Sequence, residues 1–193
     1  MLQDDETVTR AALLPRMVIS GVISPAKAVA DLRGEYRSDG SKYYTLSLGS
    51  GKMLPTHESR HDYGCRVAVR TNAANRTKAD ETGANFERTF YRGYYLMSVG
   101  AIHCASTDIF TLEVHLHPLP GLPEHCDIEM SRTPFEATKG KVSTERTLII
   151  ARLRSMLHDP QEHICADDAD HSELVGSIRL VANDVGPILG RLA

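Results

Sequence analysis

Two short runs of strictly alternating residues do most to limit how this chain can fold. From Phe110 to His117 every second residue is apolar: Phe110, Leu112, Val114 and Leu116, with Thr111, Glu113, His115 and His117 between them. From His125 to Met130 the pattern returns, with Cys126, Ile128 and Met130 on one side and His125, Asp127 and Glu129 on the other. Period-two alternation marks a strand with one face on a core and the other facing water or a cleft. The seven residues between the runs, 118–124, hold three prolines and a glycine. Proline cannot donate to a ladder, so the first strand stops there. The two runs are expected to pair as a hairpin, with their apolar sets sharing the core side and their polar sets sharing the outer side.

That outer side carries the chemistry. His115 and His117 project the same way, about 6–7 Å apart along the strand. Imidazole and carboxylate together suit zinc and related first-row ions. The expected ligands are His115, His117 and His125, with Glu113, Asp127 or Glu129 as fourth ligand or general base. A seven-residue loop does not by itself fix the register, and a slip of one residue would move every side chain to the other face.

Composition narrows the remaining classes. The chain has 193 residues, 41% hydrophobic and 24% charged, enough for one domain with a real core. A net charge of −3 gives no global basic footprint for nucleic acid. No apolar run approaches the roughly 18–20 residues that span a bilayer. The acidic start, Met1 to Thr7, is unlike a secretion signal. The cysteines at 65, 104, 126 and 165 contain no CxxC pair. Together these predict reduced thiols in a cytoplasmic protein.

Taken in order, residues 1–7 are expected to fray, and Val8–Ile23 to form a short helix or an irregular packing segment. Ser24-Pro25 is a helix start, and Val29, Leu32 and Tyr36 give the helix an apolar face to about Arg37. Residues 42–48 read as a strand. Gly49-Ser50-Gly51-Lys52 lacks the spacer of a phosphate loop, and Leu54-Pro55 blocks the helix such a loop needs. His57-Glu58-Ser59-Arg60-His61 has the spacing of a helical zinc-ligand pair, but the flanking Pro55-Thr56 and Tyr63-Gly64 argue against a sustained helix. Cys65–Thr71 alternates like a strand, and residues 72–92 read as a long polar loop. Tyr94–Ile102, apolar on both faces, reads as a central strand. Residues 144–157 form a helix capped by Ser143 or Thr144, with Ile149, Ile150, Leu153, Met156 and Leu157 as its buried stripe. An acidic loop, 159–171, precedes a last helix begun by Ser172. The sum is a single α+β domain over 1–193: a mainly antiparallel sheet of about five strands, an N-terminal helix and two C-terminal helices.

His117-Pro118 shortly before Cys126, with a helix at about 144–157 and then His158-Asp159-Pro160, resembles the ubiquitin-conjugating enzymes, where a His-Pro-Asn stretch precedes the thioester cysteine. The resemblance implies thiol transfer at Cys126. Leu119 stands where those enzymes have asparagine, and the spacing to the cysteine differs. Alternation also puts Cys126 on the apolar face.

Three functions follow. The sequence favours an interaction module or complex subunit, with a protein partner or a second copy of the chain, because it has no strong catalytic constellation and holds a long polar loop and an acidic segment. The alternatives are a metal-dependent, hydrolase-like enzyme using a divalent ion such as zinc at the hairpin, and thiol chemistry at Cys126 with His117 or His125 as base. The catalytic candidates are Glu113, Asp127 and Cys126.

Overall fold

A computed structural model describes residues 1–162, apart from 15, 20–21, 30–32, 37–41, 87 and 133–138. The expected last helix, begun by Ser172, and the acidic stretch from 163 onward lie outside the described residues. The elements are β1 (Thr7–Leu14), β2 (Val18–Ile19), β3 (Val22–Ile23), α1 (Pro25–Ala28), β4 (Arg33–Tyr36), β5 (Lys42–Ser50), α2 (His57–Thr82), β6 (Phe90–Ser98), α3 (Val99–Cys104), β7 (Phe110–Leu116), β8 (His125–Arg132), α4 (Lys139–Ser155) and β9 (Gln161–Glu162). The architecture is α+β. Five long strands and two short ones form an antiparallel sheet in the order β7-β8-β5-β1-β6-β9, with β4 also paired to β5. Among the described residues, no helix is long and apolar enough to cross a membrane.

Strand β1 lies at the centre, between β5 and β6, and both its faces are buried. Val8 and Ala12 join one core, while Ala11 and Leu13 join another. A strand buried on both sides shows no alternation, so the segment expected to be helical or irregular is a strand. Residues 1–6 are not frayed. Leu2 N–H donates to Val114 O (2.8 Å), Gly100 N–H to Asp4 O (3.1 Å) and Val99 N–H to Glu6 O (3.0 Å).

The larger core lies on the sheet face that carries α1, α3 and α4. Val8, Leu46, Leu48, Tyr95, Met97, Leu112, Val114, Ile128 and Met130 meet Ile149, Leu153 and Leu157 there. Ile149 and Leu153 fall four residues apart on one face of α4, as expected, and Leu157 packs beside them just past the end of the helix; each contributes about 1.5–3 kcal/mol of apolar burial. Helix α4 begins at Lys139 rather than at a cap near Thr144. The helix that starts at Ser24-Pro25 stops after one turn, and residues 33–36 instead pair with β5. Strand β6 ends at Ser98, whose hydroxyl caps α3, so residues 99–102 are helical rather than extended. Arg10 is buried in this core, its guanidinium donating to Ala28 O (3.1 Å) and Ser47 O (2.8 Å).

Helix α2 covers the opposite face and is the main departure from the sequence reading. Its 26 residues run through HESRH, through the segment read as the strand 65–71, and through half of the segment read as the loop 72–92. Thr56 starts it with a capping box: the Thr56 hydroxyl accepts from Ser59 N–H (3.1 Å), and the Ser59 hydroxyl accepts from Thr56 N–H (3.1 Å). Two of the four unpaired N–H groups of the first turn are thereby satisfied. The helix ends at Gly83 in the left-handed conformation (φ 68°). Thr56→Ala is expected to cost about 1 kcal/mol in urea denaturation; a change within error would mean the cap is idle.

The buried positions of α2 are Tyr63, Gly64, Ala68 and Ala79, a narrow stripe of mostly small residues. At Gly64 a Cβ would fall 2.0 Å from Cε2 of Tyr91, so glycine lets the helix lie directly on that ring. Farther along, the Asn72 carboxamide pairs with the Thr89 backbone in both directions (2.8 and 2.6 Å), as a neighbouring strand would.

Candidate metal centre on the hairpin

The hairpin forms in the register that puts its apolar sets on one side, where all but Leu116 are buried. Leu112 faces Met130, Val114 faces Ile128 and Leu116 faces Cys126, while Glu113 faces Glu129 and His115 faces Asp127. One further bond, His117 N–H to His125 O (2.9 Å), closes the ladder. The proline-rich loop fixes this register by folding on itself. Leu119 and Leu122 exchange backbone hydrogen bonds (3.1 and 2.8 Å) around Pro120-Gly121, with Gly121 at φ 77°. Proline then glycine at the two central positions is the composition of a type II turn. Leu122 and Leu119 pack into the small core beneath α2. Arg66 of α2 donates to Gly121 O (2.9 Å) and meets the buried Glu124 carboxylate (2.5 Å).

His117, His125 and Asp127 converge at this end of the hairpin. Each offers a ligand atom, and all three atoms lie within 4.8 Å of one another. His117 Nδ1 is 3.1 Å from Asp127 Oδ2, and His125 Nε2 is 3.7 Å from Asp127 Oδ1. His125 and Asp127 are buried, and His117 is exposed. His125 Nδ1 lies 2.8 Å from the His117 carbonyl, to which it donates its proton. In the neutral ring, a proton on Nδ1 leaves the lone pair on Nε2, facing the Asp127 carboxylate. A metal ion placed between that lone pair and the carboxylate would satisfy both. Holding the far nitrogen of a ligand histidine on a carbonyl is the usual outer-shell support of such a site.

Of the three expected imidazole ligands, two are gathered and one is not. His115 turns along its own strand to Glu113 (3.0 Å). Asp127, expected as fourth ligand or base, takes the third position. Cys126 is fully buried, and burial, with the nearby Asp127 and Glu6 charges, pushes its thiol far above the ordinary range. A thiol held protonated in a core is not poised as a nucleophile. Tyr63, which lies against Gly49 beside His125, has its phenol pushed up chiefly by burial and then by the neighbouring Cys126, with Arg10 opposing and Glu124 and Asp127 adding to the rise. Burial works against the Arg66 guanidinium, but its contacts to Glu124 and Asp62 outweigh that and hold it charged.

Arg66, Glu124 and Tyr63 were not singled out from the sequence, since their roles depend on α2. The Thr56-x-x-Ser59 cap was the available signal for that helix. An open depression of about 660 Å³ beside Asp4, His103, Ser106 and Glu113 does not include the cluster. The convergence of ligand atoms, rather than concavity, locates the candidate centre. No protein-family model, no curated protein and no solved structure matches this chain.

Proposed function

We propose that this chain binds a divalent ion such as zinc through His117, His125 and Asp127 and acts as a metal-dependent, hydrolytic enzyme. The observation that carries the reading is the convergence of two imidazole nitrogens and a buried carboxylate, one imidazole being oriented by a carbonyl. Three protein ligands leave a coordination position for water, and a bound ion of this class would lower that water's pKa toward neutrality. His115 lies directly across the strands from Asp127 and is oriented by Glu113, which suits it to accept a proton. The exposed side of His117 is the approach for a substrate. The interaction-module reading leaned on the lack of a strong catalytic constellation, a polar loop at 72–92 and an acidic segment; the loop is helical to Thr82, and the acidic stretch from 163 onward lies outside the described residues.

The test is metal content of purified, untagged protein, with zinc calorimetry on variants. His125→Ala/Asp127→Ala is expected to lose one equivalent of zinc, while His115→Ala keeps it. Zinc at 100 times its dissociation constant should raise the unfolding free energy by about 2.7 kcal/mol. Unchanged binding in the double variant would remove the hairpin centre, and the proposed enzyme with it.

A further inference from the structure

The start of α2 holds a second cluster built from different residues. His57 and His61 sit one turn apart, and their Nε2 atoms are 2.7 Å from each other. Their rings meet edge to face, with centroids 4.1 Å apart at 89°. Each Nδ1 is engaged by a tyrosine from β6: His57 by the Tyr94 hydroxyl (2.9 Å) and His61 by the Tyr91 hydroxyl (2.7 Å). Both tyrosines are buried, at 1% and 2% exposure, so their hydroxyls are fixed points rather than mobile surface groups.

A strand irregularity makes this match. Tyr91 and Tyr94 are three apart and would face opposite sides of a regular strand. Ala12 pairs with Gly93 but Leu13 pairs with Tyr91, so Arg92 is an extra residue, and Gly93 adopts φ 147°. The bulge turns Tyr91 onto the face of Tyr94. The tyrosines then stand opposite Leu13 and Ala11, about 6.6 Å apart along the sheet. Residues i and i+4 of a helix are separated by about 6 Å of rise. The two spacings agree, and Gly64 lets the helix come close enough to use them.

We infer that His57 and His61 form a second binding site for a borderline-soft divalent ion of the zinc class, with Tyr91 and Tyr94 as positioning residues. With both imidazoles in the Nδ1–H tautomer, each donates to a tyrosine oxygen, and both Nε2 lone pairs face the same point. Two nitrogens on a tetrahedral ion at about 2.05 Å would lie about 3.3 Å apart, a small opening of the present pair. Water fills the other positions. Glu58 is exposed, and its carboxylate is held below the ordinary range by a backbone hydrogen bond and then by the Thr56 hydroxyl at the helix start. Arg60 lies over the Tyr94 ring with its guanidinium directed to the Pro55 carbonyl (3.2 Å).

The experiment is zinc calorimetry on the full chain carrying His125→Ala/Asp127→Ala, which separates this site from the hairpin centre. One equivalent is expected to remain, and adding His57→Ala/His61→Ala should abolish it. Tyr94→Phe should weaken it about tenfold to a hundredfold, as loss of an outer-shell partner does. In wild-type protein, long-range proton–nitrogen spectra of the imidazoles should show zinc shifting Nε2 of both His57 and His61 while both Nδ1 stay protonated. This readout needs no variant to fold. Zinc shifts confined to His117 and His125, or one remaining equivalent unaffected by His57→Ala/His61→Ala, would overturn the site and leave the four side chains as a hydrogen-bonded chain only.

Discussion

Gly64→Val is expected to cost about 3 kcal/mol of stability or to prevent folding, as read by urea denaturation. The position is helical, where glycine ordinarily costs about 1 kcal/mol relative to alanine. Local propensity alone therefore predicts that any substitution here other than proline stabilises. Contact geometry predicts the reverse, because the first added carbon would sit 2.0 Å from Cε2 and 2.5 Å from Cδ2 and Cζ of Tyr91. Tyr91 is 2% exposed and is bonded through its hydroxyl to His61, so it cannot swing away without breaking the histidine pair. Gly64→Ala should also destabilise, by about 1 kcal/mol net, since the propensity gain offsets part of the clash. Gly83 is the control. It ends the same helix with φ 68°, and nothing lies within 4 Å of an added Cβ. Its replacement by alanine should cost about 1 kcal/mol through backbone strain alone, and asparagine should recover part of that. If Gly64→Ala proved stabilising, the close approach of α2 to β6 would be wrong.

The same contact explains why the sequence misleads about α2. Cys65, Val67 and Val69 alternate with Arg66, Ala68 and Arg70, which imitates a strand. What the helix buries is Gly64, Ala68 and Ala79, residues too small to register as an apolar stripe, together with one tyrosine. Helical periodicity read from large side chains cannot find a helix that packs through small ones. The capping box was visible as Thr56-x-x-Ser59, with serine in place of the usual Glu or Gln. Strand β1 was obscured for the opposite reason, being buried on both faces. The hairpin was legible because one of its faces meets a core and the other does not. Its loop was not, because the Pro120-Gly121 turn is fixed by Leu119 and Leu122 docking under a helix that had not been foreseen. Hence His117 and His125 could be proposed as ligands from alternation, with Asp127 as one of three carboxylate alternatives, while the turn of His115 toward Glu113 could not. The pairing of His57 and His61 with two tyrosines depended on a bulge at Arg92-Gly93 that pattern reading does not reveal.

Arg66→Met is expected to lower stability by about 3 kcal/mol, and to weaken the hairpin centre as well. Its guanidinium meets three partners: Asp62 on its own helix (2.8 Å), the Gly121 carbonyl (2.9 Å) and the Glu124 carboxylate (2.5 Å). These contributions are unequal. Asp62 is 54% exposed on its side chain, and an i,i+4 pair in water adds only about 0.3–0.5 kcal/mol. Glu124 is 4% exposed, so removing the arginine leaves a buried carboxylate with its cation gone, a change that costs about 3–5 kcal/mol in comparable pairs. The lower end applies here because Arg66 itself is 20% exposed and water can partly replace it. The double variant Arg66→Met/Glu124→Met should recover most of the loss, since it removes both charges and adds apolar contact beside Leu122. Glu124 immediately precedes His125, and its backbone carbonyl accepts from Ser50 N–H (2.8 Å). A Glu124 side chain released from α2 therefore loosens the ligand next to it. Zinc affinity at the hairpin should fall in Arg66→Met, and it should return in the double variant only if the loop docks without the ion pair. Restored stability with weak zinc binding would show that the arginine positions His125; restoration of both would show that apolar docking of Leu119 and Leu122 is sufficient.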